Sequence, residues 1–216
     1  MNILNNVDGS AKWDQGASVI CSVSGPIETR RRTDEPTLAQ VELVIRPAIG
    51  QATTRETLVK DRIYSVLAAT VVRNLYPRML LQIVVQILEQ GEGNGYNVLK
   101  LAACLNAVCL ALVDSRTPMT GLFTAVAIAI VDGKLVLHPT RKQVTQSTST
   151  HAVSYFVENN KATGLLMCES EGEFTEDELF EVLEQAARAC EDIALEMRER
   201  VEKGVKEGLR IDAGQE

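Results

Sequence analysis

The sequence is poor in the residues that build metal and redox centres. It holds only two histidines, His138 and His151, thirteen positions apart. Its five cysteines, at 21, 104, 109, 168 and 190, form no C-x-x-C pair. Structural zinc needs clustered thiolates and imidazoles, so the pattern argues against it. Cysteines set in apolar runs read instead as buried, reduced thiols. Aromatic residues are scarce, at 4%. No apolar run reaches the ~20 residues of a membrane-crossing helix. Residues 1–10 are polar and do not read as a secretory leader. No Pro/Gly/Ser-rich linker divides the chain, so a single domain over residues 1–202 is expected, with a flexible tail over 203–216. No cofactor motif is present. Gly91-Glu92-Gly93-Asn94-Gly95 lacks the Lys-Ser/Thr ending of a phosphate loop and reads as a turn.

What is there is an ordinary core composition, 45% hydrophobic, on a chain of net charge −7. That charge argues against a free-standing nucleic-acid binder. Its distribution is uneven. Acid gathers between Glu169 and Glu216, whereas the N-terminal half carries Arg30, Arg31, Arg32, Arg46, Arg55, Lys60, Arg62, Arg73 and Arg78.

The hydrophobic pattern alternates between periods of two and of three to four. Residues 3–13 read as a strand with a tight turn at Asp8-Gly9, followed by short strands over 17–23 and 38–45. Thr53 and Glu56 have capping-box spacing, which starts a helix carrying Val59, Ile63, Val66 and Leu67 on one face. Residues 79–88 are apolar enough to suggest a strand buried on both faces. Residues 97–113 form a helix that is apolar almost all round and therefore central. A hairpin about Asp132-Gly133 follows, then strands over 151–158 and 163–169. Thr175 and Glu178 repeat the capping-box spacing ahead of a long amphipathic helix. The order predicts an α+β fold, with mixed β-sheets, crossover helices and a long C-terminal helix.

Four segments, in order, resemble the RNase PH family. They are residues 17–26 ending in Gly25-Pro26, residues 76–88 opening with Tyr76-Pro77-Arg78, residues 104–114, and Leu135-Val136-Leu137-His138-Pro139-Thr140. Within that family the chain is most similar to ring subunits of the eukaryotic RNA exosome, of the type related to the archaeal catalytic chain. Active members are phosphorolytic 3′→5′ exoribonucleases. They use arginines to hold phosphate, and acidic residues to support a divalent metal or donate a proton. The attacking phosphate approaches an anionic backbone, so cations must offset the repulsion.

By that resemblance Arg62 matches one phosphate-binding arginine, while Asn97 stands where the second belongs. Val144 and Thr150 stand at the positions of the two acids, and no Asp or Glu occurs between Asp132 and Glu158. Neither a valine nor a threonine can replace a carboxylate in metal binding or acid catalysis. The resemblance therefore implies a non-catalytic subunit, with no metal and no cofactor. Implied partners are other RNase PH-like ring subunits, cap subunits with RNA-binding domains, a docked hydrolytic exoribonuclease, and RNA threaded through the channel. Implied locations are nucleus, nucleolus and cytoplasm.

Arg30, Arg31, Arg32, Arg55 and Arg62 are the candidate RNA contacts, since arginine clusters recognise phosphate without reading sequence. Each has a plainer alternative. The arginine triplet has Glu28, Asp34 and Glu35 as neighbours, Arg55 sits in a first helical turn, and Arg62 could pair with a nearby acid. For His138 and His151 a structural role is expected. The Ser147–His151 stretch shows no oxyanion motif to support a nucleophile. Two rival functions stay open: an active phosphate-dependent exoribonuclease whose site is completed by a partner chain, and a free-standing RNA-binding homodimer.

Overall fold

In the computed structural model, residues 3–28, 36–88 and 98–213 are described, with side chains to residue 206. Two four-stranded sheets hold most of the chain. The first has the order β1-β2-β4-β3, from β1 (Gly9–Gln15), β2 (Ala17–Glu28), β3 (Gln40–Arg46) and β4 (Met79–Ile87). The second has the order β6-β5-β7-β8, from β5 (Leu122–Val131), β6 (Lys134–Leu137), β7 (Ser149–Glu158) and β8 (Lys161–Gly172). The first sheet is mixed, because β3 and β4 run parallel around the crossover helix α1 (Thr54–Thr70). The second is antiparallel throughout. The expected α+β fold is therefore present, with the mixed pairing confined to one sheet.

Helix α2 (Val98–Asp114) lies between the sheets, touching β1 and β2 on one side and β5 and β7 on the other. Its side chains are buried nearly all round, as its composition requires. The long helix α4 (Glu176–Ala213) covers the far face of the second sheet against β5 and β7. One hydrophobic cluster runs through all these layers, from Trp13 and Ile83 through Leu105 to Ile128 and Cys190.

This layering explains where expectation and structure part. The strand buried on both faces is β5, enclosed by α2 and α4, and its residues 123–130 are all buried. β4 instead alternates buried and half-buried positions, with Gln82 and Gln86 on its outer face. The N-terminal turn also moves. Residues 3–8 precede the first strand, Gly9 lies within β1, and the tight turn falls at Gly16, whose φ is +67°. A short helix α3 (Arg141–Gln146), capped by Thr140 and Gln143, was not expected. α4 continues helical to Ala213, past the boundary expected near residue 203.

The capping boxes stand as the spacing predicts. The Thr53 backbone N–H donates to Glu56 Oε2 at 2.7 Å, and that of Thr175 to Glu178 Oε2 at 2.7 Å. The hairpin turn at Asp132-Gly133 has φ of +50° and +70°. Cys21, Cys104, Cys109 and Cys190 are buried, and burial raises the Cys104 and Cys109 thiols to about 12. Cys168 departs from expectation: it sits on the exposed side of β8, an edge strand.

Candidate functional site

α2 begins where α3 and the starts of β7 and the end of β8 converge. A cleft of about 260 Å³ opens there, lined by Val98, Val144, Ser147–Thr150, Glu171 and Gly172. Val144 and Thr150, which sequence reasoning placed together, do share this wall. Val98, the first residue of α2, adjoins the position of Asn97, which lies outside the described residues. Arg30, Arg31 and Arg32 lie outside them too.

The hydroxyls at the cleft are mostly spent on the fold. Ser147 Oγ donates to Val144 O at 2.8 Å, and Thr148 Oγ1 donates to Ile130 O at 3.1 Å. Ser149 Oγ meets His151 Nε2 at 3.0 Å, and the other ring nitrogen meets Ser170 Oγ at 2.8 Å. His151 is fully buried and packs edge-on against Phe174 at 5.0 Å. Burial holds its pKa below 6.5, against a weaker upward pull from Glu178, which favours the neutral ring. Ser149 is only 2% exposed. A hydroxyl so enclosed cannot reach a substrate, and the His151–Ser170 contact joins β7 to β8. The expected structural role of His151 fits this geometry. His138 also makes structural contacts: its ring meets Gln15 Nε2 at 2.9 Å, at a backbone φ of +50°.

One carboxylate at the cleft escaped sequence reasoning. Glu171 reaches it from β8, paired in register opposite Thr150. The hairpin turn at Asn159-Asn160 alone would pair Thr150 with Glu169. Two irregularities, at Ser154/Tyr155 and Phe156/Val157, shift the register by two residues. The sequence carries no clear signal for such bulges.

Glu169 faces the same way as Glu171, two positions along the strand. It holds Arg62, with Arg62 Nε 2.9 Å from Glu169 Oε2 and a second bond from Nη2 to Oε1 at 3.2 Å. The plainer reading of Arg62, a helix residue paired with an acid, is thus present in the geometry. Arg55 is exposed in the first turn of α1, and its backbone N–H donates to Thr53 Oγ1. Among the described residues no group of His, Cys, Asp and Glu is arranged to hold a metal ion. No described helix is long and apolar enough to cross a membrane.

Residues 1–118 match the family described as "3′ exoribonuclease family, domain 1", and residues 121–189 match its domain 2. The boundary falls between α2 and β5. The chain is 37% identical over 217 residues to the exosome complex component RRP46 of Saccharomyces cerevisiae, covering 98% of this chain and 97% of that protein. It is 28% identical to the exosome complex component Rrp41 of the archaeon Archaeoglobus fulgidus, covering 93% of this chain and 79% of that one. The crystal structure of rice Rrp46 has the same fold, with a TM-score of 0.81 at 24% identity over 91% of this chain and 90% of that one. The chain belongs to the RNase PH family of 3′ exoribonucleases and their relatives.

Proposed function

We propose that this chain is a non-catalytic subunit of an RNA exosome core ring, supporting 3′→5′ RNA processing and decay by ring assembly and RNA guidance. The observation that carries the reading is likeness along almost the whole length to a yeast exosome component, 98% of this chain against 97% of that protein. Among the described residues Glu171 is the lone acidic residue of the cleft lining, and no arginine or lysine lines it. A phosphate entering there would meet a negative charge and no cation, the reverse of what phosphorolysis requires. The one nearby arginine of family descent, Arg62, is held by Glu169. Val144 and Thr150 supply no acid.

In this reading the chain pairs with other RNase PH-like subunits and supports cap subunits with RNA-binding domains. A separate hydrolytic exoribonuclease cuts the RNA. Arg30, Arg31, Arg32 and Arg55 contribute positive charge to the RNA path. The assembly acts in nucleus, nucleolus and cytoplasm. Among the described residues, edge strands β1, β3, β6 and β8 leave four unpaired sheet edges, which assembly would cover.

Co-expression with the remaining ring subunits tests the reading. The chain should enter a stoichiometric ring on size exclusion. Reversing Arg30, Arg31 and Arg32 to glutamate should shorten the RNA length protected from added nuclease. A chain that stays out of the ring, or unchanged protection, would overturn the corresponding half of the proposal.

A further inference from the structure

The opposite end of α2 carries a second cavity, about 25 Å from the first by the length of a seventeen-residue helix. Its volume is about 240 Å³. Five separate segments build it: Gly25-Pro26 of β2, Ala39 and Val41 at β3, residues 71–76 after α1, Leu80 and Leu81 of β4, and residues 115–118 after α2. The floor is aliphatic, from Val41, Val71, Leu80 and Leu81. The walls are firmly held. Val72 N donates to Pro118 O at 3.0 Å, Arg73 Nε donates to Ala39 O at 2.9 Å, and Ser115 Oγ meets Thr117 Oγ1 at 2.7 Å.

Its charge is distinctive on an acidic chain. Two of the lining residues are arginines, Arg73 and Arg116, and among the described residues no carboxylate lines the cavity. Arg116 is exposed and makes no ion pair among the described residues. The nearby carboxylates are engaged with the backbone: Asp8 accepts from Gly25 N at 2.8 Å, and Asp114 accepts from Ser10 N at 2.9 Å. Tyr76, 36% exposed, stands at the same cavity.

We propose that this cavity is an anchor site for a partner protein, taking one aliphatic side chain of an extended acidic segment. The aliphatic floor supplies burial, and anchors of this kind concentrate binding energy at an interface. Arg116 selects carboxylates beside the anchor, because a guanidinium pairs with them in a fork. A basic segment would meet like charge and be rejected. A nucleotide would match the arginine but leave the aliphatic floor poorly filled, since bases are held by flat aromatic stacking. The site lies apart from the cleft at the start of α2, and the inference does not depend on whether the chain guides RNA.

The test is titration of the ¹⁵N-labelled chain, followed by NMR, with three probes. They are acetyl-Asp-Leu-Glu-amide, acetyl-Lys-Leu-Lys-amide and uridine monophosphate. The acidic peptide should shift the amide resonances of Val41, Val72, Leu81 and Thr117, while the basic peptide should not. Arg116→Glu, at an exposed position, should weaken the acidic peptide by about fivefold or more, the scale of a solvent-exposed ion pair. Replacing the central leucine of the peptide by serine should weaken it further. Equal binding of both peptides, or indifference to Arg116→Glu, would overturn the proposal. So would tighter binding of uridine monophosphate at the same resonances, which would make the cavity a nucleotide site.

Discussion

The two ends of α2 open onto cavities of nearly equal size, about 260 and 240 Å³, and opposite character. At the start of the helix the lining is hydroxyls and one carboxylate. At its end the described lining is largely aliphatic, with two arginines and no acid. Family resemblance points to the first as the place of chemistry, yet its described lining holds a carboxylate and no cation. The second, lined in part by the Gly25-Pro26 and Tyr76 segments of the resemblance, has the features of a recognition site. The comparison teaches that the two ends of one buried helix can present cavities of similar size and different lining. Binding can then depend on a different surface.

Both ends depend on the middle of the helix, and breaking it should give the largest effect. Asn106 is fully buried at the centre of α2. Its amide donates to Ala125 O at 2.8 Å and accepts from Ala125 N at 2.8 Å. β6 pairs only with residues 128–131 of β5, so at Ala125 this side chain does the work of a missing strand. Asn106→Leu would strand two backbone groups and should cost about 2–5 kcal/mol. Urea denaturation would measure it; a loss under 1 kcal/mol would mean that the helix and sheet are less tightly joined than described.

Gly9→Ala should come next. A Cβ there would collide with the backbone of Ala111 and Ser115, pressing on the end of α2 beside the apolar cavity. A cost of about 1–3 kcal/mol is expected, with the arginine-lined end loosened first. Amide exchange at residues 111–118 should accelerate more than at residues 98–102.

Acid should act through the two histidines. Burial lowers the pKa of both His138 and His151 below 6.5. The unfolded chain therefore takes up protons before the folded one does. Stability from these groups is complete above about 6.5 and falls as the pH drops below it toward the folded pKa values. His151 braces the cleft through Ser149, so His151→Gln should flatten this slope, as measured by melting temperature between pH 7 and 5. An unchanged slope would contradict the assignment.

The smallest effect should follow Arg62→Ala. Its partner Glu169 is largely covered, but the arginine is 45% exposed. A cost of at most about 1 kcal/mol is expected by double-mutant cycle with Glu169→Ala.

Local patterns revealed the helices well. Thr53–Glu56 and Thr175–Glu178 announced two helix starts, and the apolar sequence of α2 announced its central place. What depends on neighbours was less legible. β4 looks more apolar than its surroundings require, since its outer face meets no helix. β5, rich in alanine, is the strand enclosed on both sides. Glu171 joined the cleft only because two bulges shift the β7–β8 register. The arginine-lined cavity draws on five segments spread from Gly25 to Pro118; two of them were noticed for family resemblance, but nothing in the sequence showed that they meet. Val144 and Thr150 were found through family resemblance, and the structure brings them to one wall.

The central claim is that this chain does no phosphorolysis of its own. Its most direct test is release of nucleoside diphosphates from 3′-ended RNA with Mg²⁺ and inorganic phosphate, for the chain alone and within a reconstituted ring whose other subunits are inactive. The account predicts no phosphate-dependent product in either form. Phosphate-dependent product that disappears on Arg62→Glu would contradict it, and would mean that a neighbouring chain supplies the missing acids.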